Sequence, residues 1–266
     1  MTTLPKIHRD VPAWKGLRTA AIGTGAFADA ESGSTYLREA CETLRGEDFE
    51  AVVGPMDGST WGTYRLQTWS DGSPAFLMEP AGGPHDMTAY AQAGFEIAEL
   101  HVSASAAPGS RGFQDKVSGI SVESWNGEDP EALLAGAHAL VMEGFRSTPF
   151  FTPVPEAMFL ERYGPLLAHA DPRFILRALD GDGTLRGLTL AFPDPMRLGA
   201  IVLKTYVGTV PGAGRAMADR IHALAGDLGF REVVHALMRS GIASEAQSRK
   251  FGGTVFRRYA LMGRLL

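Results

Sequence analysis

The last third of the chain, residues 200–266, constrains the fold most, because strand and helix patterns alternate there without interruption. The apolar, β-branched run AIVLKTYVGTV (200–210) predicts a buried strand. A glycine-rich turn, PGAGRA (211–216), follows it and leads into a helix-period run, MADRIHALAGDL (217–228). The remaining residues predict, in order, the strand REVVHALM (231–238), a short helix within SGIASEAQSRKFGG (240–253) and the strand TVFRRYALM (254–262).

A strand, a glycine-rich turn and a helix N-terminus in direct succession form an arrangement that can bind an anion. The glycines let the backbone approach a phosphate, and the unpaired N–H groups and the helix dipole provide a positive end. The same arrangement also occurs in many α/β proteins that bind no phosphate. The turn alone therefore leaves both interpretations open.

Composition limits the class of protein. With 45% hydrophobic and 21% charged residues, the 266-residue chain is typical of a globular protein of about two domains or one large one. Its net charge of −5 argues against a nucleic-acid partner. The single cysteine, Cys41, cannot form an internal disulfide and is expected to pack in the core. We expect no membrane span and no signal peptide, and hence a cytoplasmic location.

The first part of the chain predicts a second α/β unit. Residues 1–16 suggest a surface arm, and LRTAAIGTGAF (17–27) suggests a strand that runs into glycines. The spacing of those glycines does not complete a dinucleotide-binding motif. We expect the helix TYLREACETLRG (35–46) to begin after Ser34 as its N-cap, and FEAVV (49–53) to be a buried strand.

An internal repeat relates the two parts. Phe49 and the apolar residues after it parallel Phe230 and its successors, and each segment follows a helix that ends in glycine. Farther along, Gly94 aligns with Gly252. The first copy is longer because of an aromatic insertion, YRLQTWSDGSPAFLMEPAGGP (64–84), which is predicted either to cap a ligand cleft or to bury itself. Chance similarity between helix–strand units is the alternative explanation.

The small, polar stretch 103–116 suggests a linker before the second half. Beyond it the pattern predicts a strand at 119–125, a helix at 130–145 with Asn126 or Asp129 as its N-cap, and a second helix from Glu156 to about Leu167. Two strands, 173–179 and 185–195, follow, and Asp180-Gly181-Asp182-Gly183 between them is a hairpin signal.

Strand, two helices, hairpin, strand, helix, strand, helix and strand, in that order, resemble the complete GCN5-related N-acetyltransferase (GNAT) fold. The phrases GPMDGSTWGTYR, GFRSTPFFTP and FRRYALMGRLL are similar to sequences of bacterial GNAT-like proteins. The resemblance implies an α/β protein with a mixed sheet, built as a tandem GNAT-like chain. Residues 1–112 would form a partial, degenerate unit, and 118–266 a complete one.

The resemblance also implies a cofactor, acetyl-CoA, and residues that hold it. The strand before the turn would bind the pantetheine arm, and the turn would bind the pyrophosphate. The residues implied are Tyr206, Val207, Gly208 and Thr209 for the strand, Gly212, Ala213, Gly214, Arg215 and Ala216 for the turn, and Ser244 near the cofactor. Thr209 stands where the family has Gln or Arg, and Ser248 stands where many members have a tyrosine as general acid.

Two titratable residues are the candidates for catalysis. His235 lies in a predicted strand and could act as a base near the thioester, and Tyr259 lies in the last strand, where it could face the cleft. The alternatives are a hydrogen-bonded structural histidine and a packed tyrosine. No His/Glu spacing suggests a metal site.

These features predict an acetyl-CoA-dependent N-acetyltransferase whose acceptor is a small-molecule or peptide amine. The alternatives are a non-catalytic acyl-CoA-binding or regulatory module and a pure scaffold for protein contacts. Tandem GNAT proteins can pair their halves through the closing strands. We therefore expect an intrachain pseudo-dimer, with a homodimer as a further possibility.

Overall fold

The computed structural model describes residues 4–109, 116–117, 119–168 and 170–266. The described residues form one large mixed sheet of twelve strands with helices on its faces. The strands are β1 (Ile7–His8), β2 (Thr19–Ile22), β3 (Ala51–Gly54), β4 (Leu66–Ser70), β5 (Glu96–Ala106), β6 (Lys116–Val117), β7 (Ile120–Ser124), β8 (Ile175–Leu179), β9 (Leu185–Pro193), β10 (Ala200–Gly208), β11 (Glu232–Arg239) and β12 (Thr254–Leu265).

In the part of the chain that the structure describes, six α-helices and one short 3₁₀ turn (Pro172–Phe174) join the strands. The helices are α1 (Ala30–Gly46), α2 (Asp86–Gln92), α3 (Pro130–Gly144), α4 (Glu156–Ala168), α5 (Ala213–Asp227) and α6 (Ala243–Lys250). The predicted helices at 130–145 and 156–167 are confirmed, and Asp129 is the N-cap of α3 through its bond from the Ala132 N–H.

The order of the strands interleaves the two halves of the chain. The sheet runs β1-β2-β3-β12-β5-β11-β10-β9-β8-β7-β6, and β4 pairs with β12. The pairs β2/β3 and β10/β11 are parallel, and the other pairs are antiparallel. The final strand, β12, therefore lies against β3 and β4 of the first half, and β5 lies between β12 and β11 of the second half.

The hydrophobic core of the first half also contains residues from the second half. Leu37, Cys41 and Leu44 on one stripe of α1 pack with Ala260 and Met262 of β12 in a single apolar cluster. Burial raises the pKa of the Cys41 thiol, in agreement with its predicted place in the core. The first-half core is thus completed by residues from the far end of the chain.

In the second half, helices cover both faces of the sheet. The α5 face is the side on which α5 packs with Ile201, Leu203 and Val233. The α3 face is the opposite side, where α3 and α4 pack with Leu188 and Val207. The alternation of apolar residues along β10 supplies both faces at once, as expected for a strand buried on two sides.

Three sequence expectations need correction. Helix α1 begins at Ala30, because Asp29, an equally good capping residue, accepts a 2.7 Å hydrogen bond from the Ser32 N–H; Ser34 lies inside the helix. The first sixteen residues are more than a surface arm, since β1 pairs with β2 and Trp14 is buried. Residues 103–106 belong to β5, so the expected linker starts later, and positions 110–115 lie outside the described residues.

Candidate functional site

The parallel strands β10 and β11 separate partway along their length. Their pairing runs from Ala200 opposite Glu232 to Leu203 opposite His235 and then stops. Both strands are irregular at this point. The register of β10 shifts at Lys204 against β9, and β11 shifts between His235 and Met238, with Leu237 at φ +55°. The result is a gap between two strands of the same sheet, with main-chain polar groups along its edges.

The edge of β10 that faces this gap presents Tyr206 and Gly208. Thr209 donates its N–H to the Arg186 carbonyl at 2.9 Å, so it forms a hydrogen-bonded pair with β9. Because bonded and non-bonded pairs alternate in an antiparallel ladder, Val207 also faces β9. The N–H groups of Tyr206 and Gly208 therefore point away from β9 and into the gap. The Thr209 hydroxyl also donates to the Arg186 carbonyl, at 3.2 Å.

Helix α5 starts a few residues after β10 with donors that remain free. Its N-cap, Gly212, has φ +88° and makes no side-chain capping bond, and its first turn contains no acidic residue. Among the described residues, the Gly214 and Arg215 N–H groups donate to no backbone carbonyl. A side chain at position 214 would collide with Tyr206, whose hydroxyl lies 2.7 Å from the position of a Cβ. Glycine at position 214 thus leaves room for the Tyr206 ring at the start of α5.

The corresponding turn of the first half is occupied by carboxylates. Asp29 caps α1, and Glu31 lies in its first turn. Asp57 accepts hydrogen bonds from the N–H and the hydroxyl of Thr24, which follows β2, at 2.8 and 2.5 Å. These negative charges would repel a phosphate at the first-half turn, whereas the first turn of α5 carries no acidic residue.

His235, a predicted catalytic residue, lies on the α5 face and is buried. Its Nδ1 is 2.6 Å from the Ser248 hydroxyl of α6, and its Nε2 is 2.9 Å from the His222 Nε2 of α5. Burial, with a smaller effect from His222, lowers the pKa of His235 to about 3. The imidazole is therefore neutral at neutral pH, and both of its nitrogens are engaged with side chains.

Tyr259, the other predicted catalytic residue, lies on the opposite face and is fully buried. Its hydroxyl donates to the Glu79 carboxylate at 2.5 Å, and the Arg257 Nε lies 3.1 Å from the same carboxylate. Burial is the main reason that the pKa of Tyr259 is raised. The structure does not bring His235 and Tyr259 together.

The remaining predicted cofactor residues surround the start of the gap. Ala213 and Ala216 are buried in the first turns of α5, while the Arg215 side chain is 64% exposed and lies 3.6 Å from Asp219. Ser244 is half-buried in the first turn of α6. There the Glu245 carboxylate accepts from the Gly241 N–H at 2.7 Å, so this helix start already has an anionic partner.

Two cations at the gap were missed in the sequence. Lys204, at the irregularity of β10, donates to the Met78 carbonyl at 3.2 Å, and Arg65 is buried beside Leu237 of β11. Both contacts involve the aromatic insertion of the first half, since Met78 and Arg65 belong to it. A lysine inside the otherwise apolar run AIVLKTYVGTV was the available signal for Lys204. Arg65 had no comparable signal, because its neighbours are distant in sequence.

No model of a protein family matches the sequence, and no curated protein matches it significantly. Solved structures do match. A GCN5-related N-acetyltransferase from Sphaerobacter thermophilus is 14% identical with a TM-score of 0.60, and the match covers 98% of this chain and 75% of that one. A tandem GNAT protein from the clavulanic acid biosynthesis pathway is 13% identical, with a TM-score of 0.53 and coverage of 93% and 75%.

A third match is a probable N-acyltransferase from Enterococcus faecalis V583, with 12% identity, a TM-score of 0.54 and coverage of 100% of this chain and 58% of that one. At these identities the similarity establishes the fold. The chain has the fold of the GCN5-related N-acetyltransferases, and the resemblance found in its sequence is confirmed at that level. Within the described part of the chain, no helix is long and apolar enough to cross a bilayer.

Proposed function

We propose that the protein is an N-acyltransferase that uses acetyl-CoA and binds it in the gap between β10 and β11. The observation that carries the proposal is the gap itself, with inward-facing N–H groups at Tyr206 and Gly208 and the uncapped start of α5 immediately after it. The fold shared with known N-acetyltransferases supports the same assignment.

In this proposal two sets of hydrogen-bond donors bind two different parts of the cofactor. The N–H groups of Tyr206 and Gly208 bind the extended pantetheine arm, as an added strand would pair with an open sheet edge. The Gly214 and Arg215 N–H groups and the Arg215 guanidinium bind the pyrophosphate at the positive end of α5. When bound, acetyl-CoA supplies a thioester whose acyl group is transferred to an amine.

The proposal includes the organisation of the chain. Residues 118–266 act as the complete unit, and residues 1–112 act as the degenerate one. The antiparallel pairing of β5 with β12 supports an intrachain pseudo-dimer of the two units. The acceptor is an amine of a small molecule or a peptide, and it approaches on the α3 face.

A specific observation favours the second function, a non-catalytic acyl-CoA-binding module. His235 and Tyr259 are both buried and both hydrogen-bonded to other side chains, so neither presents a free proton acceptor to the gap. Their assignment as catalytic residues stays a prediction. An amine panel assayed for release of free CoA thiol separates the two functions, because turnover with any amine excludes the non-catalytic module.

Calorimetric titration with acetyl-CoA tests the binding site. Arg215→Glu places a negative charge in the first turn of α5 and should weaken binding by at least about fivefold, equivalent to about 1 kcal/mol. Arg45→Glu makes the same change of charge at an exposed position of α1 and should leave the affinity unchanged. Absence of binding to the wild-type protein, or equal affinities in all three proteins, would contradict the proposal.

A further inference from the structure

Two cations, the half-buried Lys204 and the buried Arg65, flank the mouth of the gap. Lys204 is the residue at which β10 loses its pairing with β11, and its ammonium donates a hydrogen bond to the Met78 carbonyl. Arg65 lies across the gap, where its guanidinium donates to the carbonyl of Leu237, the irregular residue of β11, at 3.4 Å. The two cations thus mark opposite sides of the point where the strands separate.

Neither cation has an anionic partner in the described part of the chain. No carboxylate oxygen there lies within 4.0 Å of the Lys204 ammonium or the Arg65 guanidinium. Arg65 is 6% exposed and stacks 3.7 Å from the Tyr64 ring centroid, and within the described residues its buried Nε has no hydrogen-bond partner. Buried charges are normally paired, so an unpaired one indicates a site for a ligand charge.

The nearby carboxylates are committed elsewhere. Glu79 attracts Lys204 at longer range, but its oxygens already bind Tyr259 and Arg257. Glu99 attracts Arg65 at longer range, but its carboxylate already contacts Arg239 at 3.7 Å. A third cation, Arg162 of α4, acts on Lys204 together with Arg65. The α3 face of the gap is therefore locally positive although the whole chain has a net charge of −5.

We infer that Lys204 and Arg65 form a subsite for a carboxylate carried by one of the two reactants. This inference rests on the proposed function, because it places the carboxylate next to the acyl-transfer point. The carboxylate belongs either to the acyl group of the CoA thioester or to the acceptor amine. In either case a carboxylate pairs with the Lys204 ammonium and the Arg65 guanidinium at the α3 face of the gap.

A matched pair of thioesters tests whether the acyl group carries the carboxylate. Succinyl-CoA and butyryl-CoA have acyl chains of equal length and differ in the terminal carboxylate. Calorimetric titration of the wild-type protein should show tighter binding of succinyl-CoA, and Lys204→Met should reduce that preference about tenfold, because a charge-assisted hydrogen bond is lost. Lys204→Arg keeps the charge and should retain most of the preference.

β-Alanine and propylamine, which also differ in a terminal carboxylate, test whether the acceptor amine carries the carboxylate. In the presence of saturating CoA, β-alanine should raise the Tm of the wild-type protein more than propylamine does, and Lys204→Met should remove the difference. Lys15→Met, at an exposed lysine of the first half, is the control for both experiments and should behave as wild type.

The outcomes separate the two proposals. If the wild-type protein binds none of free CoA, butyryl-CoA and succinyl-CoA, the proposed function is overturned. If CoA binds but neither carboxylate-bearing reactant is preferred, the subsite is overturned and the proposed function stands. A preference that Lys204→Met leaves intact also overturns the subsite. A preference in one experiment that is lost in Lys204→Met supports it and identifies the reactant that carries the carboxylate.

Discussion

The N–H of Phe49 donates to the carbonyl of Leu44, and the N–H of Phe230 donates to the carbonyl of Ala225, each five residues back. The two bonds, at 3.1 and 2.9 Å, close the same type of helix end on α1 and α5. The residue before each phenylalanine is left-handed, with φ +62° at Asp48 and +76° at Gly229. The ends of α2 and α6 match in the same way, with φ +80° at Gly94 and +79° at Gly252. The aligned repeat positions therefore have the same local geometry.

The paired helix ends predict opposite effects of two substitutions. Asp48→Gly relieves the cost of a left-handed non-glycine residue and should stabilise the protein by about 1 kcal/mol, whereas Gly229→Ala should destabilise it by a similar amount. Apart from its two chain neighbours, no heavy atom of the described residues lies within 4 Å of an added Cβ at Gly229, so strain of the backbone alone is measured. Urea unfolding gives both values. A neutral effect at both positions would contradict the interpretation.

Stability should fall as the pH is lowered from neutrality. Burial lowers the pKa of His235 to about 3 and that of His101 to about 2, against 6.5 for an ordinary histidine. The unfolded chain therefore binds protons that the folded chain refuses, and stability is lost progressively as the pH falls from about 6.5 towards these values.

Each of the two histidines should contribute a slope of up to about 1.4 kcal/mol per pH unit between pH 6 and pH 4. Urea unfolding at a series of pH values measures the total slope. His235→Asn and His101→Asn should each flatten the curve, and the double variant should flatten it further. Variants with the wild-type slope would show that other groups control the acid response.

Lys204 should react with amine-directed reagents at a lower pH than other lysines do. Its pKa is lowered from 10.5 to about 8, mainly by burial and to a lesser extent by Arg65 and Arg162. Competitive acetylation with trace acetic anhydride, read by mass spectrometry, should give a labelling midpoint near pH 8 for Lys204. The exposed Lys15 serves as the internal reference for an ordinary lysine. Equal midpoints for the two lysines would contradict the assigned environment.

Glu79 should hold the aromatic insertion on β12. Its side chain is 6% exposed and accepts hydrogen bonds from Tyr259 and from the backbone N–H of Phe76, beside the buried Arg257. Glu79→Ala leaves the Arg257 charge without this carboxylate and should destabilise the protein by about 3–5 kcal/mol.

The control for Glu79 is Glu96→Ala, which removes an exposed pair with Lys15 and should cost less than about 1 kcal/mol. Limited proteolysis should also detect earlier cleavage between residues 71 and 75 in Glu79→Ala. Resistance equal to that of the Glu96 variant would mean that other contacts hold the insertion.

Sequence patterns were sufficient where local chemistry determines local structure. The Asp-Gly hairpin is confirmed by the bond from the Asp180 N–H to the Thr184 carbonyl, and the 200–266 alternation produced β10, α5, β11, α6 and β12. The start of α1 was wrong because ADAESGS contains several residues that cap helices equally well, and the choice depends on three-dimensional context.

Long-range relationships could not be obtained in this way. Nothing in the local pattern around Arg65 or Glu79 indicates that these side chains reach the second half, since their partners Leu237 and Tyr259 lie far along the chain. The engagement of His235 with Ser248 and His222 was equally invisible, because three separate elements bring the side chains together. Tertiary packing, and not propensity, decided these contacts.

The exchange of closing strands also has a consequence for biosynthesis. While the ribosome is still producing the second half, β3 lacks the partner that pairs Gly54 with Met262, and both edges of β5 await strands not yet made. The nascent chain therefore carries open strand edges, which favour aggregation, until translation reaches β12. The first half is synthesised early but completes its part of the sheet only after β12 has emerged from the ribosome.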